Sequence, residues 1–524
     1  MIFSNSREDT TVSKDNKKSQ ANEPTLQKEP KKTQAQQIME FAQERCKLYK
    51  DDQQNTYASF INQNGTNEIW SILSPSFKNA VGAWHYKQHG QAFTQDMLKD
   101  ACGMLHSVAL YSGDECTIHR RVAKIDDCYY LDLCDEQWQQ VAVSAYGFRV
   151  VPMEQAMFAR SQRMSSLPVP MQPNDLSELW DFFRVEPKDR NLLLAWILEC
   201  FRVDTVYPIL EVSGGQGTGK TMFCAFLKLL IDPAMPLQQP EVTTIEDLYV
   251  TAKNNHLVLL ENLSSLNKAM QDACCQISTG SGYSKRKLHS NAEEYSYSVK
   301  TPLLINGIVP LATREDMISR TVRLKLTPIS GGIRVTETSL MERFMEARPR
   351  LLGALLSLFS TVLSKQAKEE DYELPRLADF ALLGEAISLN EGHRAGNFIK
   401  QLNENQADAC LAGVEGDPFA DTIIQMGEKS EKECVFSGTC GELLRKIQAK
   451  TQFPQSRHFP TSARGVKNCL QRHEAAFGHY GIWVEFPKRR KDGCPVVIYK
   501  KLNLGEHGEH GEHDEHVNLV SGRR

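Results

Sequence analysis

The residues best suited to chemistry fall in one short run. Gly214, Gly215, Gln216, Gly217, Thr218, Gly219, Lys220 and Thr221 spell G-x-x-x-x-G-K-T. Glycines at this spacing let backbone N–H groups turn towards an anion with no Cβ in the way. A lysine placed like Lys220 reaches the β- and γ-phosphates of a nucleoside triphosphate, and a hydroxyl placed like Thr221 ligates magnesium. The motif works only between a buried strand and a helix. Both are present, as the apolar run Tyr207–Val212 before it and Met222–Leu230 after it. The run therefore predicts a site for ATP with magnesium, whose anionic end gains from the potential of a helix N-terminus.

Two later strands end in polar residues. His256-Leu-Val-Leu-Leu runs into Glu261 and Asn262. Glu261 stands where a P-loop protein places the carboxylate that holds the metal, directly or through water. Asn262 stands where a catalytic carboxylate usually polarises water; an amide is no base, although it can orient a water. Pro302-Leu-Leu-Ile-Asn306 brings a second amide to a strand tip, and Asp316-Met-Ile-Ser-Arg320 follows, ahead of the alternation Val322-Arg-Leu-Lys-Leu326. Taken singly, Asn306-Gly307 is an ordinary turn signal and Arg320 an ordinary surface or ion-paired arginine. Their order after a P-loop is what suggests roles.

The chain that must position these groups has 524 residues, enough for three or four domains. Its 41% hydrophobic and 24% charged content is that of an ordinary globular protein. A net charge of −4 gives no global case for nucleic acid, which must rest on local patches. The 14 cysteines form no C-x-x-C pair; Cys274 and Cys275 adjoin, and Cys434 and Cys440 are spaced too loosely for a zinc knuckle. They read as buried thiols in a reducing compartment. The start is polar and Lys-rich without an apolar core, and no run reaches membrane-span length, so a cytoplasmic protein without membrane contact is expected.

Composition and periodicity divide the chain. Residues 1–36 are polar and read as a disordered arm. Residues 37–166 read as an α+β domain: a face of Ile38, Phe41, Ala42 and Cys46, a helical stretch Phe77–Tyr111, then strands Thr117–Ala123, Tyr129–Leu133, Gln140–Val143 and Phe148–Val151. Its Asp126, Asp127, Asp132, Asp135 and His119 could suggest metal ligands, but they read as turn and surface chemistry. Leu167–Pro173 is a proline-bearing linker. Residues 174–330 carry the P-loop core, entered through helices Leu176–Phe183 and Arg190–Phe201. Residues 331–430 are a helical lid or connector, with Leu340–Leu363 its strongest helix, and 431–502 a small terminal domain. Residues 503–524 are a tail whose Gly-Glu-His repeat, 505–516, is solvated or binds metal weakly.

Two basic clusters bear on DNA. Lys285, Arg286, Lys287 and His289 sit beside Tyr283; phosphates attract such a cluster and an aromatic can stack on a base, although a charge run can also be a solvated face. In the terminal domain, helices Gly441–Gln448 and Ser462–His473 precede a strand from Ile482, a basic turn Lys488–Gly493, and a strand from Val496. That is a winged-helix-like pattern, whose second helix, carrying Arg464, Lys467 and Arg472, could enter a major groove. The other reading is a winged fold used only for protein contacts, and DNA is the favoured one.

The order of motifs resembles the AAA+ ATPases of the superfamily 3 helicase type, in particular the primase-helicase-like ATP-binding proteins of phages and integrative elements. Gly214–Thr221, Leu259–Ser264, Ser278–Leu288, Pro302–Ile308 and Thr313–Arg320 carry the resemblance, with Arg348–Leu356 and Leu377–Phe380 beyond them. It spans roughly Leu176–Phe380. The resemblance implies an α/β P-loop core of AAA+ type with three αβα layers, in a homo-hexameric ring helicase or translocase that uses ATP on single-stranded or forked DNA during replication of a mobile element. It implies that Asn306 contacts the γ-phosphate or the attacking water. It makes Arg320 an arginine finger reaching the neighbour's nucleotide, and Ser284–His289 part of a hairpin projecting into the ring channel. One departure is Glu-Asn at 261–262, where Asp-Asn is usual; it bears on hydrolysis rate. A second reading is therefore an ATP-binding origin-recognition initiator or regulator with slow turnover.

Overall fold

The computed structural model describes residues 33–500 apart from 63–64, 154, 173–174, 238–241, 287–293, 328–335, 366, 413, 415–416, 431, 451–458 and 489–492. Most of the expected arm and all of the Gly-Glu-His tail lie outside the described residues. The first helix, α1 (Gln34–Gln43), begins inside the span read as arm, because Thr33 and Gln36 form a reciprocal capping box.

Strands β1 (Lys47–Lys50), β2 (Thr56–Ile61) and β3 (Asn67–Ser71) are antiparallel, and β4 (Asp114–Glu115) adds in parallel to β1. The stretch expected as one helical segment is two helices, α2 (Pro75–His89) and α3 (Gln95–Ser112). Ser74 caps the first, which stops at Gly90, and Thr94 caps the second. A four-stranded antiparallel meander follows: β5 (Val122–Ile125), β6 (Cys128–Asp132), β7 (Gln139–Ser144) and β8 (Gly147–Pro152). One face of this meander packs with Ile69 and Phe158. The other, through Val122, Tyr129, Leu131, Val141 and Val143, joins the main hydrophobic core. Asp126, at positive φ, and Asp127 make the β5–β6 turn. Asp132 is buried rather than on the surface, and Arg160 grips both its oxygens (3.1 and 2.6 Å). The described part of the Leu167–Pro173 segment, 167–172, is less a free linker than a packed strap: Leu167 is buried and its N–H donates to Leu133, and Met171 donates to Pro349.

Helix α4 (Arg190–Glu199), buried on all sides, leads into the central sheet. That sheet comprises β9 (Ile209–Ser213), β10 (Val258–Leu263), β13 (Leu303–Gly307) and β14 (Thr321–Lys325), ordered β10-β13-β9-β14 and parallel throughout. Between them run α5 (Lys220–Ile231), α6 (Ile245–Asn254) and α7 (Lys268–Thr279), and a hairpin of β11 (Gly282–Arg286) and β12 (Glu294–Ser298). Near-continuous apolar strands are what a parallel sheet covered on both faces requires. The strand order separates β9 from β10 by β13, which the chain forms last of the three.

Long α8 (Glu337–Ser364), then α9 (Ala378–Asn390) and α10 (Asn397–Ala412), complete the main core. Asn405 of α10 lies along the outer edge of β14: its carboxamide accepts from the Arg323 N–H (2.9 Å) and donates to the Arg323 carbonyl (2.7 Å). A separate terminal core is built from α11 (Pro418–Glu428), β15 (Cys434–Thr439), α12 (Cys440–Gln448), α13 (Ala463–Arg472), β16 (Ile482–Glu485) and β17 (Pro495–Lys500). Its three strands are ordered β15-β17-β16 and antiparallel.

A buried ionic knot joins the meander to the central sheet. Arg121 is fully buried; it donates to Asp232 Oδ1 (3.0 Å) and to the carbonyls of Asp132, Ser165 and Pro233. Asp232 also accepts from Lys228 (2.8 Å) and from the N–H groups of His256 and Leu257. Burial works to raise the Asp232 pKa, but Lys228 and Arg121 outweigh it and hold the carboxyl well below its usual range. Replacing Arg121 with leucine strips a buried carboxylate of one partner and takes a donor from the carbonyls of Asp132 and Ser165; the Pro233 carbonyl keeps the Ser165 N–H. Removing one member of such a set costs about 3–5 kcal/mol, so Arg121→Leu should lower the thermal unfolding midpoint sharply. A midpoint unchanged from the parent would show that the knot contributes nothing to stability.

Candidate nucleotide site

The P-loop joins fully buried β9 to α5, at the carboxyl end of the parallel sheet. Ligands of open α/β sheets bind in the crevice outside this end. Gly214 admits no side chain, because a Cβ there would lie 2.7 Å from the Leu326 carbonyl oxygen and 2.8 Å from Thr218 Oγ1. Gly219 caps α5 in the left-handed region, at φ 81°. Thr218 Oγ1 donates to the Gly215 carbonyl inside the loop (3.0 Å). Lys220 folds back across the loop, its ammonium 2.8 Å from the carbonyls of both Gly214 and Gly215. Gln216 and Gly217 are exposed at the loop's crest, and Thr221 opens the first turn of α5, partly exposed.

Glu261 and Asn262 come to the same end of the sheet by a different route. Pairing between β10 and β13 slips between Leu260 and Leu263, a bulge at these two residues. Bulges re-aim side chains at the ends of strands. Asn262 sits at φ 54°, left-handed for a residue with a Cβ, and an asparagine tolerates this better than most. Its N–H is held by Asn306 Oδ1 at 2.7 Å. Asn306, at 0% exposure on the intervening strand, gives its amide N–H to Cys224 Sγ of α5 (3.3 Å). Burial pushes the Cys224 thiol up to about 12, so it serves as a neutral acceptor. The Asn306 amide thus clamps the bulge to the P-loop helix, a job its sequence position did not reveal.

Burial pushes the Glu261 carboxyl pKa up, with the neighbouring Asn306 amide working against it. Glu261 Oε1 is buried with no hydrogen-bond partner among the described residues. A buried carboxylate oxygen without a donor is costly unless something completes it. At the same end of the sheet as the glycine-rich loop, the Thr221 hydroxyl and the Lys220 ammonium, that oxygen fits a hydrated divalent cation carried by a polyphosphate.

Arg320 is not brought to this cluster. Its carbonyl accepts from the Ile209 N–H, at the start of β9, while the P-loop leaves the end of that strand. From the Ile209–Thr321 pair to the Ser213–Lys325 pair the sheet rises roughly 13 Å, at about 3.3 Å per residue. Arg320 instead faces Asp316, 3.4 Å away. That carboxylate also binds Arg376 (2.7 Å), which had not stood out in the sequence.

The expected basic hairpin is present as β11 and β12, paired from Gly282–Ser298 to Arg286–Glu294, and it leaves the core between β10 and β13. Lys285 and Arg286 are in its first strand; Lys287 and His289 lie outside the described residues. In the terminal domain Arg464 is exposed in the first turn of α13, and the Lys467 ammonium lies 5.0 Å from the Phe486 ring centroid. Arg472 is engaged internally, bridging to Asp417 at the N-cap of α11 (2.8 Å). Most of the basic turn, 489–492, lies outside the described residues. Among the described residues no group of three or more His, Cys, Asp or Glu is placed to hold a metal on its own, and no helix is long and apolar enough to cross a membrane.

A family model described as actinomycete integrative conjugative element replication protein matches residues 175–403, the stretch that contains this site. No curated protein matches the chain. Two of the solved structures that align with it are the apo C-terminal region of NrS-1, residues 305–718, and the SCCmec type IV Cch, described as an active helicase. The first is 11% identical with a TM-score of 0.38, covering 90% of this chain and 100% of its own. The second is 11% identical with a TM-score of 0.41, covering 87% and 92%. Similarity this slight establishes no shared chemistry.

Proposed function

We propose that this chain is a replication ATPase of an integrative mobile element, an ATP- and magnesium-dependent DNA helicase or translocase that works as a homo-hexameric ring. The observation that carries the reading is a division of the parts. Lys220, Glu261, Asn262 and Asn306 converge at one end of the parallel sheet, while Arg320 sits at the other. A site so divided is completed by a second copy, and head-to-tail repetition of one contact closes into a ring. The intervening β13, which puts the P-loop and Glu261 on non-adjacent strands, suits an AAA+ core. The order α11-β15-α12-α13, then the short helix Glu474–His479, then β16-β17 suits a winged helix with α13 as its groove-reading element. The match to replication proteins of integrative conjugative elements over residues 175–403 supports the biological setting.

In this reading Lys220 leaves the loop carbonyls for the β- and γ-phosphates, and the P-loop amides orient the triphosphate for in-line attack. Thr221 and Glu261 would hold magnesium, which when bound would neutralise phosphate charge. Asn262 orients a water, with its backbone fixed by Asn306. Asn262 is also the observation that favours the second reading. Without a carboxylate there, proton removal from water lacks an adjacent base, and a slow ATPase used as an assembly switch at an origin results.

The test is made on the full chain, with ATP and a forked duplex. A hexamer that displaces a strand, with turnover raised by single-stranded DNA, is expected. A chain that stays monomeric with both ligands sinks the ring; a ring that binds duplex but never separates strands leaves the initiator. The hairpin provides a further readout. Changing Lys285, Arg286 and Lys287 to alanine should flatten the salt dependence of single-strand binding, by about 0.7 in log–log slope for each phosphate that is no longer neutralised. An unchanged slope would return the hairpin to a solvated charge run.

A further inference from the structure

Asp316 carries more positive charge than it can neutralise. Its Oδ1 is shared by Arg376 Nη2 (2.7 Å) and Arg320 Nη2 (3.4 Å), so two guanidinium ions lean on one carboxylate oxygen. Arg376 makes one more bond, to Ser319 Oγ (3.0 Å). Arg320 Nε is buried with no hydrogen-bond partner among the described residues. The nearby Arg314 is not part of the set, since it has its own carboxylate in Asp272 (2.6 Å). The two arginines differ in access. Arg320 keeps 18% of its side chain exposed and is backed by the sheet, whereas Arg376 keeps 46%, projecting from the segment ahead of α9. Both lie at the sheet end remote from the P-loop, because Arg320 is anchored to Ile209. The result is a surface feature with a net positive charge, planar donors in excess, and one arginine already within reach of solvent.

We propose that Arg376 is a second trans-acting cation, delivered together with Arg320 to the triphosphate held by the neighbouring subunit, and that Asp316 holds the pair ready on its shared oxygen. This rests on the ring reading above. A terminal phosphate offers several oxygens to planar forked donors, and arginine suits it better than a point charge does. A neighbour's γ-phosphate competes with one carboxylate oxygen for two guanidinium ions. Arg376 then stabilises charge that develops during transfer, and Ser319 limits where its fork can point.

The experiment compares Arg376→Ala, Arg376→Lys and Arg320→Ala in the full chain, each alone and each mixed with Lys220→Ala at concentrations where subunits exchange. Arg376→Ala should lower kcat by about 10- to 100-fold, the range for removing one charge-assisted hydrogen bond from a transition state, while KM for ATP stays close to the parent's. Arg376→Lys keeps the charge without the fork and should fall between. Mixing Arg376→Ala with Lys220→Ala should restore part of the activity, because the first supplies a sound P-loop and the second a sound Arg376 beside it. An arginine that merely tethers α9 through Asp316 and Ser319 gives no such rescue. If Arg320→Ala is rescued by mixing and Arg376→Ala is not, or if Arg376→Ala and Arg376→Lys both turn over like the parent, the proposal is overturned while the ring stands. If neither arginine variant is rescued, the shared site falls and this proposal falls with it.

Discussion

Lys220→Ala should abolish ATP turnover, lowering kcat by roughly 10²- to 10³-fold or more, the scale for losing one preorganised partner of transition-state charge, and it should weaken nucleotide binding as well. The structure explains why nothing nearby can compensate. Lys220 is bonded to the carbonyls of Gly214 and Gly215, so its ammonium is held at the loop's mouth and needs little rearrangement to reach a phosphate. The other cation of the reading, Arg320, belongs to the far end of the sheet. Glu261, Asn262 and Asn306 contribute a carboxylate and two amides and no positive charge. Turnover and equilibrium binding of a fluorescent ATP analogue, measured on the same preparation, check both halves of the expectation. Turnover close to the parent's, in a variant with an unchanged melting curve, would mean that this loop is not the nucleotide site.

Arg320→Ala should bind ATP about as well as the parent and hardly hydrolyse it. An arginine finger contributes about 10³–10⁵ in kcat. The sign of the effect follows from charge: a guanidinium is always protonated and forks towards phosphate oxygens, so its loss is felt where negative charge develops. In the proposed ring the loss acts across a subunit boundary. With Arg320 roughly 13 Å along the strand from the P-loop end, a direct role in its own subunit's site is excluded by length alone. Mixed with Lys220→Ala, Arg320→Ala should regain part of the lost turnover, because some interfaces then pair an intact P-loop with an intact finger. Should mixed subunits assemble and exchange yet remain inactive, Arg320 is a structural partner of Asp316 and the hexameric reading loses its main support.

What the sequence disclosed and what it withheld divide along the range of the interactions. The P-loop was legible because its constraints are local: glycines, a lysine and a threonine at fixed offsets between an apolar strand and a helix. The tips Glu261 and Asn306 were legible for the same reason, each closing a short apolar run. The bonds that make them a unit were not. Asn306 meets Cys224 and Asn262 across strands whose order no periodicity encodes, and the left-handed turn at Asn262 follows from a slipped register. Arg121, in an unremarkable Arg-Arg pair, turns out to be fully buried against Asp232 because two distant segments fold around it. The strap at 167–171 read as a linker since prolines suggest one, yet its N–H groups find carbonyls in the meander and in α8. Arg376 was hidden among many arginines until the fold put it on the same carboxylate as Arg320.

The carboxamide of Asn405 along the edge of β14 has a consequence for how copies of this chain meet. The last strand of an open sheet is a template on which a foreign strand can grow, and such growth has no natural stopping point. Asn405 counterfeits one peptide unit of that missing strand, offering an acceptor and a donor to Arg323 at the spacing a backbone would. The template is thereby blunted at its middle, and docking between copies is left to side chains, which can end in a closed circle where backbone pairing would propagate. The counterfeit is mounted on α10, the helix that packs against Glu474–His479 of the terminal domain. The same helix packs on α4, α9 and β14 itself, so the edge of the sheet is blunted by an element that the main core and the terminal domain hold from two sides.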